Sequence, residues 1–127
     1  MKTLFLFLVA CCFVWGCKKS NNTPSSSLSA KINGVAFTPD AVTVTPYTGY
    51  RIIRGSRNAT NETIVIYSAD SFGMSLPCIY SPNGVKMDTA VSSSLTRVGI
   101  SKSENGEFEF ITRDSVVITE GKYQAYW

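Results

Sequence analysis

Between Thr96 and Trp127, apolar and polar residues alternate with a period of two. No other feature of the chain constrains its fold as strongly. Phe108, Phe110 and Thr112 fall on one side of such a pattern, with Glu107 and Glu109 on the other. Tyr123, Ala125 and Trp127 alternate in the same way with Lys122, Gln124 and Tyr126. Successive side chains of a strand point to opposite faces, so these segments are expected to be half-buried strands. Thr96, Val98 and Ile100 are expected to share one strand face. Asn105-Gly106 is read as the turn that follows, and Glu120-Gly121 as the next, after a strand over Ser115 to Thr119.

Upstream the reading is the same. Ser29 to Ile32 and Val35 to Phe37 flank Asn33-Gly34, a strong hairpin signal. Ala41 to Thr45 alternates and then meets Pro46, and Tyr50 to Arg54 is a further strand candidate. Thr63 to Tyr67 is apolar on both faces, which places it centrally in a sheet. Pro77 makes Gly73 to Tyr80 an edge strand or a bulge. Ser81-Pro82-Asn83-Gly84 is a turn. No segment sustains helical periodicity; any helix would be short, around Asp88 to Leu95. The expected fold is all-β: an antiparallel β-sandwich, or an open barrel or meander.

The first residues are read as an address rather than as part of this fold. Lys2 precedes an apolar run, Leu4 to Trp15, and Gly16 supplies a small residue before Cys17. This is the pattern of a bacterial lipoprotein signal peptide cut after Gly16, with Cys17 lipidated. The run is shorter than the roughly 20 apolar residues of a membrane span. Cys11 is the alternative, because Leu8-Val9-Ala10 precedes it. Two points favour Cys17. Cutting before Cys11 leaves an apolar run of only Leu4 to Val9, short of the usual 7–15 residues or so. The chain also turns polar directly after Cys17. The expected organisation is therefore a signal peptide over 1–16, the lipidated cysteine and a Ser/Asn-rich flexible tether over 17–28, and one β-rich domain over 29–127. The tether's eleven residues after Cys17 span about 18 Å as a flexible coil.

Charge and cysteine usage exclude several function classes. From Ser29 onward lysines and arginines balance acidic residues, and the net charge of +3 comes from Lys2, Lys18 and Lys19. A neutral domain argues against a nucleic-acid partner. Cys78 has no disulfide partner other than the anchor cysteine, and is read as a small buried hydrophobe. The chain contains no histidine, which removes the commonest general base and most zinc sites. The expectation is a protein that is not an enzyme, with no catalytic residue, no metal and no cofactor.

The residues that remain point to contact. Ser29-Ala30-Lys31-Ile32-Asn33-Gly34-Val35-Ala36-Phe37, Gly106-Glu107-Phe108-Glu109-Phe110 and Val117-Ile118-Thr119-Glu120-Gly121-Lys122-Tyr123 resemble the opening and closing strands of a family of small Bacteroidota lipoproteins of unknown function. This chain has Gly106-Glu107-Phe108 where that family often has Ser-Gly-Thr-Phe. The resemblance implies an exported β-rich lipoprotein and brings no catalytic residue. Arg51, Arg54 and Arg57 form a basic cluster suited to a phosphate, an acidic sugar or a partner carboxylate. As an alternative, they keep a strand edge soluble. Tyr47, Tyr50 and Tyr126 are candidate exposed aromatics for a glycan or an interface. Asp88-Thr89-Ala90 resembles the O-glycosylation sites of exported Bacteroidota proteins, making Thr89 a candidate acceptor in an expected loop. The functional expectation is an outer-membrane module, lipid-anchored at Cys17 and facing the periplasm. It would bind a glycan or small ligand, or dock to another envelope protein.

Overall fold

The computed structural model describes residues 24–70 and 78–127. Gly16, Cys17, most of the tether and most of the Gly73 to Tyr80 segment lie outside the described residues. Nine strands are present: β1 Ser27–Ile32, β2 Val35–Phe37, β3 Ala41–Tyr47, β4 Tyr50–Ser56, β5 Thr63–Ala69, β6 Ile79–Ser81, β7 Asp88–Ile100, β8 Ser103–Thr112 and β9 Val117–Tyr126. They form one open antiparallel sheet in the order β2-β1-β9-β8-β7-β6-β5-β4-β3. The fold is all-β, as the alternation requires.

The chain from β3 to β9 is a meander, and the β1–β2 hairpin adds itself beside β9. The two outer edges are thus consecutive in sequence, joined through Thr38, Pro39 and Asp40. Strands far apart in the sheet nevertheless touch. A Cβ on Gly55 of β4 would meet Leu28 of β1 at 3.2 Å and Pro39 at 3.1 Å. The sheet therefore rolls over its own inner face. That face carries Leu28, Phe37, Ile53, Ile64, Ile66, Tyr80, Phe108, Phe110, Ile118 and Tyr123 as one buried cluster. Burying a side chain such as Phe108 or Phe110 contributes about 1.5–3 kcal/mol.

Several local readings hold. Asn33 and Gly34 close the β1–β2 hairpin with φ of 50° and 82°, the two positive values that such a turn demands. β5 is buried along almost its whole length between β4 and β6. The strand expected over Ala41 to Thr45 runs on through Pro46 to Tyr47, because β3 is an edge strand, where a missing N–H is tolerated. Asn83 Oδ1 accepts the N–H groups of Val85 and Lys86, and Gly84 has φ 79°.

Others are corrected. Asp88 to Leu95 is not helical but opens the long strand β7. Asn105-Gly106 does not turn: both residues lie inside β8, and the turn between β7 and β8 is Ser101-Lys102. Gly106 is glycine for another reason, since a Cβ there would overlap the ring of Tyr123. Glu120-Gly121 also lies within a strand. On β9, Ile118 to Gly121 oppose only Phe110 to Phe108 on β8. The chain gains one residue there, with Glu120 at φ 50°. This β-bulge shifts the strand's phase by one, so both Ile118 and Tyr123 face the core. A second register shift in β7, between Ala90 and Ser92, likewise lets Ala90, Leu95 and Arg97 all point inward. It leaves Val98 on the outward face, where it is exposed.

Candidate functional site

Carried back along β8, the alternation of Phe110, Phe108 and Gly106 puts Glu104 on the inner face. It is 2 % exposed. A carboxylate placed there is costly unless it is paired and hydrogen-bonded, and the neighbouring strands supply both. Glu104 Oε1 accepts hydrogen bonds from Ser68 Oγ of β5 at 2.5 Å and from the Tyr123 hydroxyl of β9. Glu104 Oε2 accepts from Arg51 Nε and Nη2 of β4 at 3.1 and 2.6 Å. Arg97 Nη1 of β7 donates to Ser68 Oγ at 2.7 Å and lies 3.6 Å from Glu104 Oε2. Small neighbours make this possible. Gly106 lets the Tyr123 ring lie across β8, and Ala125 stands opposite Glu104 on β9.

Burial alone would raise the Glu104 pKa. Hydrogen bonds from Ser68, Tyr123 and Arg51, together with the Arg51 charge, outweigh it and hold the carboxyl below its ordinary value. Burial and the adjacent carboxylate push the Tyr123 hydroxyl well up. Glu104 is thus a fixed anion whose lone pairs are occupied.

Above this network opens a cavity of about 420 Å³. Arg51, Arg97 and Glu104 form its floor, Trp127 a wall, and Asp70 and Lys102 its rim. Arg51 Nη1 also reaches Asp70 Oδ1 at 2.5 Å, and Arg51 Cζ lies 4.5 Å from the centroid of the Trp127 ring. Arg51 is therefore held by two carboxylates and an aromatic face. Ser101 and Lys102, in the turn at the mouth, have φ of 25° and 60°. Side chains are retained there where glycine would relieve backbone strain.

The structure divides the expected basic cluster. Arg51 points inward to the cleft, while Arg54, on the opposite face of β4, is exposed. Arg57, just past β4, clamps the other end of the roll. Its Nη2 donates to Ala36 O of edge strand β2 at 2.7 Å, its Nη1 lies 3.2 Å from Glu62 Oε2, and its Cζ is 4.8 Å from the Phe37 ring. Strand alternation and the end of β4 forbid a common patch.

The tyrosines fare differently. Tyr47 and Tyr50 stack across the β3–β4 hairpin with centroids 4.9 Å apart. Tyr126 precedes Trp127 and pairs with Ser103. Tyr47, Tyr50, Arg51 and Tyr126 thus gather at the cleft end of the sheet. Thr89 lies in β7, half-buried and paired with Ile79, and its carbonyl accepts the Arg113 N–H at 3.1 Å. Its expected loop setting is corrected. Cys78 is buried, and burial pushes its thiol up to about 11.

Glu104, Arg97, Asp70 and Lys102 were not singled out from sequence. The signal for Glu104 was its phase with Phe108 and Phe110, which reading a turn at Asn105-Gly106 interrupted. Among the described residues, no group of three or more His, Cys, Asp or Glu side chains could hold a metal ion. Comparison with family models, curated proteins and solved structures finds no match.

Proposed function

We propose that this chain is a non-catalytic binding module of the bacterial envelope, lipid-anchored at Cys17, that takes its ligand in the cleft beneath Trp127. The observation that carries this reading is the Arg51–Glu104–Arg97 network under an aromatic wall. Two guanidiniums held in place by hydrogen bonds present a pre-organised polar floor. Such a floor loses little freedom when a ligand binds. Glu104 is a poor proton donor at neutral pH, because its pKa is lowered and both oxygens accept hydrogen bonds. This supports binding over hydrolysis by a carboxylate pair. The lipoprotein pattern and the likeness to small Bacteroidota lipoproteins support placement at the outer membrane, facing the periplasm.

Two measurements test it. The intact mass of envelope-extracted protein, compared with Cys17→Ala, should show acyl chains only in the former. Titration of the protein with inorganic phosphate or glucuronate should change Trp127 fluorescence. An unacylated native chain would remove the anchor. A flat titration with both anions would remove the cleft. Docking to another envelope protein is the second reading. Outward-facing Val91, Ile111 and Val117, exposed together across β7, β8 and β9, favour it.

A further inference from the structure

We infer that the cleft end of the sheet is the membrane-facing end, and that the cleft receives the phosphate of an anionic phospholipid headgroup. This rests on the anchored-module reading above and names its ligand.

The first observation is where the tether joins the fold. Ser26 Oγ accepts the backbone N–H of Tyr126 at 3.0 Å, and β1 begins at Ser27 opposite Gln124. The backbone N–H of Trp127 donates to Lys102 O at 3.1 Å. The chain leading back to Cys17 thus leaves the domain beside the cleft wall. The nine residue steps from Cys17 to Ser26 span roughly 15–18 Å as a flexible coil. An acylated Cys17 keeps the cleft within that distance of the headgroups.

The second observation is what this end of the sheet carries. Trp127 lines the cleft, and Tyr47, Tyr50 and Tyr126 lie at the same end on the outer face. Tyrosine and tryptophan favour the headgroup level of a bilayer, where an apolar body and a polar tip are both accommodated. Lys102 at the rim is exposed and forms no ion pair among the described residues. Arg97 sits on the floor behind it. Arg51 is held by Glu104 and Asp70, and Arg97 Nη1 by Ser68 and Glu104, so exposed Lys102 is the first cation that an incoming phosphate meets, with Arg97 behind it. Asp70, half-exposed, is the one rim carboxylate, and Arg51 holds it at 2.5 Å. Lys18 and Lys19 follow Cys17 directly in sequence and add positive charge to the tether. The opposite end carries the paired charges Lys86–Asp114 and Arg57–Glu62 beside the exposed Arg113, with neither a tryptophan nor a tyrosine pair among its described residues.

Trp127 is the only tryptophan from Cys17 onward, so its emission reports on the cleft alone. The test uses the full mature chain carrying Cys17→Ala, which removes the acyl anchor. It is mixed with vesicles of phosphatidylcholine, alone or with phosphatidylglycerol. The expected result is co-sedimentation and a blue shift with phosphatidylglycerol vesicles. Affinity should fall at least fivefold for phosphatidylcholine alone and for Lys102→Glu, while Arg54→Glu, on the outer face of β4, binds as the parent does. Equal losses in Lys102→Glu and Arg54→Glu would overturn the inference in favour of diffuse electrostatics. A response to inorganic phosphate or glucuronate without vesicle binding would overturn it and leave the binding-module reading standing. No response to vesicles, phosphate or glucuronate would overturn both.

Discussion

Glu104→Gln isolates the charge at the centre of the network without emptying its space. The amide oxygen still accepts from Ser68 and Tyr123, but the NH₂ group now faces Arg51 Nη2, which stands 2.6 Å from the oxygen it replaces. Two charge-assisted hydrogen bonds from Arg51 are lost, each worth about 1.5–3 kcal/mol. The Glu104 and Arg51 side chains are only 1 % and 12 % exposed, so water does not replace them. Breaking a buried pair by changing one partner costs about 3–5 kcal/mol. Arg51 keeps Asp70 and Trp127, which favours the lower figure, about 3 kcal/mol. At about 4–8 °C per kcal/mol for a domain of this size, Tm falls by about 12–24 °C. Urea unfolding at pH 7 should show the midpoint lowered with an unchanged slope.

The pH dependence supplies an internal control. The folded pKa of Glu104 lies below its unfolded value of about 4.3. Its contribution is therefore complete above about pH 4.3 and is lost as pH falls through the folded value. The gap between parent and variant should narrow only on the acid side of that point. A loss under about 1 kcal/mol at pH 7, the range of exposed ion pairs, would refute the buried-network reasoning. So would a gap that already closes between pH 7 and 5.

Three further outcomes are expected. Gly106→Ala should cost about 1–3 kcal/mol in urea unfolding, because its Cβ displaces the Tyr123 ring from Glu104. Lys102→Gly should raise stability by about 0.5–1 kcal/mol by relieving φ 60°, while weakening binding to phosphatidylglycerol vesicles. The Cys78 thiol, buried and raised to about 11, should react with a disulfide reagent at pH 8 only as fast as the domain unfolds. A rapid native-state reaction would show that the site opens.

Much of the sheet was legible because its signals are local. Asn33-Gly34 predicts its own hairpin, Thr63 to Tyr67 its central place in the sheet, and Phe108 with Phe110 their buried face. The errors share one cause. Asn105-Gly106 and Glu120-Gly121 carry turn residues for reasons unrelated to chain reversal. Gly106 clears space for Tyr123, and Gly121 lies under the Phe108 ring. Local composition does not distinguish a glycine that frees φ from one that makes room for a side chain on the next strand.

The candidate site was less legible, because its members are scattered over five strands and the turn between β7 and β8. Arg51, Ser68, Arg97, Glu104 and Trp127 meet only once the sheet has rolled, and nothing in their spacing announces it. Sequence alone determined an all-β chain, the Asn33-Gly34 hairpin, and which residues of β8 from Glu107 onward face the core. These follow from a two-residue period and from backbone sterics, which act between near neighbours. Tertiary structure decided the bulges in β7 and β9 that shift the strands' phase. It also decided the separation of Arg51 from Arg54 and Arg57, and the pairing of Glu104 with two arginines. A buried charge is stable only where distant strands supply its partners, so its place was set by the closing of the roll.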